Sequence, residues 1–282
     1  MIRQEANQTQ AGPSLEASPQ SVALVGVPFD GQASYGRGPA LAPQRIRQAL
    51  YGGRNRLYTE GGLNLDGDPR WRDVGDLVVP DSLEAFDEIT QAVECLLAQG
   101  CRVLSLGGDH SITYPLVRAF AHRYGPLQIL QLDAHPDLRD QLDGNRYSHA
   151  CQFARILEEG LASRLVQVGI RFTTPDLIQQ WQRFGVEVVS VSDWSDPGRL
   201  AWEGPVYMSV DIDVLDPAFA PGVSVPEPGG LTTRQVLAWI QQLRGELVGA
   251  DLVEYNPGCD PSGQTAIVAA KLCKELVARL IA

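Results

Sequence analysis

Short, almost uninterrupted apolar runs recur along the chain at residues 22–27, 103–106, 129–132, 166–170, 186–191, 206–210 and 247–253. Runs this short and this rich in Val, Ile and Leu fit strands buried on both faces of a parallel sheet; half-exposed strands would alternate instead. Apolar positions between them fall at helical spacing over 82–99, 114–123, 150–159, 175–184, 232–244 and 265–281. Strands alternating with helices predict an α/β domain, a mostly parallel sheet with helices on both faces. No internal repeat and no Gly/Ser linker interrupts the pattern, so 21–282 is expected to form a single domain. Gly and Pro clusters at 51–68, 217–230 and 256–263 read as long loops, which in a compact domain usually carry function.

Polar residues gather where the apolar runs stop. Gly107-Gly108-Asp109-His110-Ser111 follows one strand, Asp133-Ala134-His135-Pro136-Asp137 a second, Asp211-Ile212-Asp213 a third, and Glu254 closes a fourth. Open α/β sheets bind their ligands beyond the carboxyl ends of the strands, so these groups are aimed at one edge. His110, Asp133, His135, Asp137, Asp211 and Asp213 make four carboxylates and two imidazoles with no thiolate. That donor set suits Mn2+, with Ni2+, Co2+ or Fe2+ as alternatives, and lacks the soft ligands of a structural zinc site. Period-two alternation would put Asp133, His135 and Asp137 on one face, and likewise Asp211 and Asp213. A lone Asp after a strand is usually a helix cap. Four carboxylates buried together without counter-charge would be too costly, whereas two ions sharing bridging carboxylates neutralise them. Paired metals are also a means of making water nucleophilic at neutral pH.

The formal charge of -11 argues against nucleic acid or an anionic membrane as partner and suits a small cation. No apolar run approaches the length needed to span a bilayer. Residues 1–20, rich in Gln, Ser, Ala and Pro, lack the apolar segment of a secretory signal and read as a disordered or oligomer-contact arm. The 5 cysteines include no C-x-x-C pair, which suits reduced thiols and a cytoplasmic enzyme.

The motifs G-G-D-H-S (107–111), D-A-H-P-D (133–137), S-V-D-I-D-V-L-D-P (209–217) and V-E-Y-N-P (253–257) resemble those of the ureohydrolases, the arginase and agmatinase family. G-N-R-Y-S-H-A (144–150), D-P-A-F-A-P-G-V-S (216–224) and V-A-A-K-L (268–272) look most like its bacterial agmatinase and plant-type arginase branch. The resemblance implies a three-layer αβα sandwich around an eight-stranded, mostly parallel sheet, and two Mn2+ ions. One ion would be held by His110, Asp133, Asp137 and Asp211, the other by His135, Asp133, Asp211 and Asp213, with Asp133 and Asp211 bridging. It further implies a catalytic set of His149, Asp137 and Glu254. His149 would protonate the leaving amine, and Glu254 would receive the guanidinium through parallel hydrogen bonds. It implies a cationic guanidino substrate, urea as product, and assembly as a trimer or hexamer. A formimino hydrolase or a non-catalytic subunit are the rival readings; the first would release formamide, the second would have lost one of these residues.

Agmatine is slightly favoured as substrate over L-arginine. The loop 138–145 and the segment 169–172 lack the Ser/Thr/Asn grip and the later acid of animal-type arginases, and Asp140 or Asp143 could meet the ammonium of agmatine. Arg139 and Arg171 point the other way, since either could pair with a substrate carboxylate. Val225 stands where the family commonly has Thr or His. Asp109, Asp216, Gly229 and Gly230 are expected to shape turns, and His122 to lie on the surface.

Overall fold

The structure, a computed structural model, describes residues 21–52, 57–191 and 197–282; the arm expected over 1–20 lies outside the described residues. Eight strands form one sheet: β1 (Val22–Gly26), β2 (Trp71–Asp76), β3 (Arg102–Leu106), β4 (Leu127–Leu132), β5 (Ala162–Val168), β6 (Glu187–Val189), β7 (Pro205–Asp211) and β8 (Glu246–Val253). Their order is β2-β1-β3-β8-β7-β4-β5-β6, and every neighbouring pair is parallel. The central strands β3, β4, β7 and β8 are buried along nearly their whole length, which is why they are written as plain apolar runs.

The helices are α1 (Ala42–Tyr51), α2 (Glu84–Ala98), α3 (Thr113–Tyr124), α4 (Gln152–Glu158), α5 (Pro175–Phe184), α6 (Thr233–Gln241) and α7 (Gln264–Ile281). One apolar core joins α1, α6 and α7 to one sheet face through Ile46, Leu50, Trp239, Ile240, Leu272 and Leu276. A second core joins α2 to α5 to the other face through Ile89, Val93, Phe120, Phe153 and Leu177. The three layers match the expected αβα sandwich. Among the described residues, no helix is long and apolar enough to cross a membrane.

Two elements lie outside the pattern read from the sequence. Strand β2 sits at the sheet edge with two aspartates, an arginine and a register shift, and no residue of it is fully buried, so it shows no apolar run. Helix α1 buries only Ala42, Pro43, Ile46 and Leu50 among arginines and glutamines, too thin a stripe to stand out. Register and close approach then set the sheet edge that carries the site. Gly108 passes the carbonyl of Phe29 so closely that a Cβ there would collide with it, while Asp109 N–H donates to that carbonyl at 2.9 Å. The turns after β1 and β3 are thereby locked together.

Candidate metal centre

Four adjacent strands, β3, β8, β7 and β4, deliver the site at their carboxyl ends, on either side of the point where the chain reverses its order across the sheet. His110 opens a 3-10 turn after β3, capped by Asp109, whose carboxylate accepts from Ser111 N at 3.0 Å. Asp133, His135 and Asp137 follow β4, but not by strand alternation. The strand ends at Leu132, and Asp137 has a left-handed backbone at φ 51°, so the three side chains converge through a turn. Asp211 ends β7 and its side chain caps the next 3-10 turn, accepting from Asp213 N at 2.8 Å. Glu254 is likewise left-handed, at φ 63°. Non-glycine residues held there are strained, and such strain concentrates at functional sites.

The predicted residues are brought together. Nδ1 of His110 lies 3.2 Å from Asp133 Oδ2, 3.0 Å from Asp137 Oδ2 and 3.1 Å from Asp211 Oδ2. It is buried and makes no hydrogen bond. Nδ1 of His135 lies 2.9 Å from Asp213 Oδ2 and 3.7 Å from Asp133 Oδ1. The ligand atoms of His110, Asp133 and Asp137 fall within 4.8 Å of one another, as do those of Asp133, His135 and Asp213, so Asp133 belongs to both groups. Neighbours fix the carboxylates: Gln131 donates to Asp133 at 2.7 Å, Gln152 to Asp137 at 2.7 Å, and Ala134 N–H to Asp213 at 3.0 Å.

So much buried acid is electrostatically unbalanced. Burial, then Asp137 and Asp213, push the Asp133 carboxyl up to about 7, against His110. Burial and the same kind of repulsion drive Asp211 well above the carboxylate range. Burial lowers His135, but Asp213 and Asp133 outweigh it and raise the imidazole to about 10. An orphaned imidazole nitrogen facing three carboxylate oxygens, amid carboxylates that resist joint ionisation, fits divalent cations with oxygen and nitrogen ligands.

Beside this cluster, His149 Nδ1 lies 2.8 Å from Glu254 Oε1, which also accepts from the backbone N–H of His110 at 2.8 Å. Its Nε2 lies 2.7 Å from the Ser34 hydroxyl. Burial pushes His149 down, yet Glu254 prevails and raises it to about 9. Ser34 was not visible to motif reading, being in a polar loop after β1; the rule that ligands meet strand ends was the available signal. Gln152, which steadies Asp137, was hidden inside a helix.

The cluster lines a cavity of about 200 Å³ with Ser34, Arg139, His149, Phe172, Val225, Glu227 and Glu254 on its walls. Asp140 and Asp143 do not line it. Asp140 accepts from Arg146 at 2.6 Å and Arg155 at 3.2 Å, and Asp143 sits in an exposed left-handed turn. Arg171 is directed inward to backbone carbonyls, donating to Asp213 O at 2.7 Å, Glu227 O at 2.9 Å and Val214 O at 3.2 Å. It is a staple between loops and has no donor aimed at a ligand. Asp216 turns its carboxylate to the N–H groups of Ala218 and Gly229, and exposed His122 pairs with Glu94, as expected.

The arginase family profile matches residues 20–278. Arginase 1 (mitochondrial) of Arabidopsis thaliana is 46% identical over 94% of this chain and 83% of its own length. The mitochondrial agmatinase of Gallus gallus is 39% identical over 90% of this chain and 79% of its own. The arginase structure from Medicago truncatula superposes with a TM-score of 0.87 at 42% identity, covering 94% of this chain and 88% of that one. With its sheet, its acid-and-imidazole edge and these likenesses together, the chain belongs to the arginase family and is a hydrolase of guanidino carbon–nitrogen bonds.

Proposed function

We propose that this enzyme hydrolyses L-arginine to urea and ornithine at a centre of two divalent ions, Mn2+ before Ni2+, Co2+ or Fe2+. His110, Asp133, Asp137 and Asp211 would hold one ion, and His135, Asp133, Asp211 and Asp213 the other. Bound, the pair supplies the Lewis acidity that makes water nucleophilic at neutral pH. Glu254 has one oxygen committed to His110 and His149, so it offers the guanidinium its other oxygen in place of the parallel pair that the resemblance implies. His149 holds a proton on Nε2, at the cavity wall, and gives it to the departing amine.

The substrate choice rests on one observation: Arg139 lines the cavity beside Glu227, while Asp140 and Asp143, the two acids that the loops offered for the ammonium of agmatine, do not. A cation at the wall suits a substrate with a carboxylate. This reverses the order in which the loops alone rank the two substrates, and the greater identity to a plant arginase than to an agmatinase supports the reversal.

Urea release from L-arginine, agmatine, 4-guanidinobutyrate, guanidinopropionate and guanidine, measured side by side, tests it. L-Arginine is expected to be turned over with the highest kcat/KM; agmatine in first place would reject the substrate assignment. We further take 21–282 as one catalytic unit that assembles as a trimer or hexamer. Its 5 free cysteines support a reducing compartment such as the cytoplasm. Light scattering that reports a monomer at micromolar concentration would reject the assembly.

A further inference from the structure

Beneath His110 lies a hydrogen-bonded chain that the mechanism does not use. Nε2 of His110 is 2.9 Å from Ser209 Oγ, and the Ser209 hydroxyl donates to Asp251 Oδ1 at 2.7 Å. The other oxygen of Asp251 accepts from the Tyr207 hydroxyl and the Thr113 hydroxyl, each at 2.8 Å. His110, Thr113, Tyr207, Ser209 and Asp251 are all fully buried. Ser209 and Asp251 are register partners on β7 and β8, so the sheet itself sets their spacing.

The direction of these bonds follows from proton counting. A carboxylate only accepts, and a serine hydroxyl has one proton. Burial raises the Asp251 carboxyl, and the three hydroxyl donors work against it by favouring the carboxylate form. The Ser209 proton therefore goes to Asp251, and Ser209 is left to accept from His110 Nε2–H. A neutral His110 must then carry its lone pair on Nδ1, the nitrogen that faces Asp133, Asp137 and Asp211 without a hydrogen bond. We infer that Asp251, acting through Ser209, is a positioning residue that fixes the tautomer and orientation of His110 for a metal ion. The inference rests on the two-ion reading above.

Asp251→Asn inverts the polarity with little change in shape. The amide oxygen can still accept from Tyr207 and Thr113, but the amide NH2 donates to Ser209. The Ser209 hydroxyl then turns to donate to His110 Nε2, which places the imidazole proton on Nδ1, facing the metal position. Chelator-stripped parent, Asp251→Asn, Ser209→Ala and the double variant are titrated with Mn2+, with bound ions counted by elemental analysis and folding checked by circular dichroism. Asp251→Asn is expected to weaken one of two ions by about 10- to 100-fold, in the range typical when a ligand loses its supporting hydrogen bond. Ser209→Ala should weaken it less. The double variant should match Ser209→Ala, because without the hydroxyl the inverted signal cannot reach His110. Parent affinity in Asp251→Asn, or losses that simply add in the double variant, would overturn the relay. A parent that takes up fewer than two ions refutes the two-ion reading instead.

Discussion

The imidazole of His149 stands 2.8 Å from Oε1 of Glu254, which holds that position from a left-handed backbone at φ 63°. The acid proposed to receive the guanidinium is thus also the carboxylate that raises the neighbouring imidazole. His149→Ala should lower kcat by about a hundredfold or more, and Glu254→Gln by a similar factor, both with metal content retained. Because the Glu254 charge is what raises His149 against burial, acid competence is lost as pH rises through the raised imidazole pKa. The residual rate of Glu254→Gln should then fall away at a lower pH than in the parent. Unchanged turnover in either metal-loaded variant removes that residue from the mechanism.

Metal uptake should be steeply pH-dependent. In the metal-free centre the Asp133 carboxyl is raised to about 7 by burial and by Asp137 and Asp213, and His135 to about 10 by Asp213 and Asp133 despite burial. Cations bind the deprotonated ligands, so binding expels protons and apparent affinity rises with pH. Titration with Mn2+ between about pH 6 and pH 8 should show affinity increasing and protons being released, and a flat profile would contradict the assignment of these ligands.

Much of this was legible in the sequence because buried parallel strands are written as apolar runs and because metal ligands cluster at their ends. The convergence of Asp133, His135 and Asp137 was anticipated, yet its route was not. A period-two argument cannot foresee that Asp137 enters the left-handed region, since that depends on the turn between β4 and the loop that carries His149. Edge strand β2 and helix α1 escaped notice because exposed elements need little apolar surface. The fates of Asp140 and Arg171 were invisible for another reason. Which partner a charged loop residue finds depends on how the chain folds back on it: Arg146 and Arg155 take Asp140, and the carbonyls of residues 213–227 take Arg171.

Arg171 gives a stability prediction. Its guanidinium joins the backbone carbonyls of Gly169, Asp213, Val214, Leu215 and Glu227, a planar fork of donors that an ammonium cannot reproduce. Arg171→Lys should destabilise the fold by about 2 kcal/mol, the scale of charge-assisted hydrogen bonds left unmade. The loop that carries Asp213 should loosen with it, so metal affinity falls as well. Denaturant unfolding of the metal-free protein measures the first effect and Mn2+ titration the second; a variant identical to the parent in both would show that the staple is dispensable.

Arg139 separates the candidate substrates. Arg139 lines the cavity and is only partly exposed, and its Nη1 donates to Asp176 at 3.0 Å. A substrate carboxylate competes with Asp176 for the same donors and offers the parallel geometry that an arginine fork prefers. Arg139→Gln should therefore raise KM for L-arginine by about tenfold with kcat nearly unchanged, the signature of lost uniform binding. Agmatine, which lacks a carboxylate, should lose nothing and should gain from removal of a like charge. Asp176→Asn should act in the opposite direction, freeing Arg139 and lowering KM for L-arginine while leaving agmatine unaffected. If Arg139→Gln treats both substrates as the parent does, the carboxylate grip lies elsewhere on the cavity wall, and the preference for L-arginine loses its structural basis.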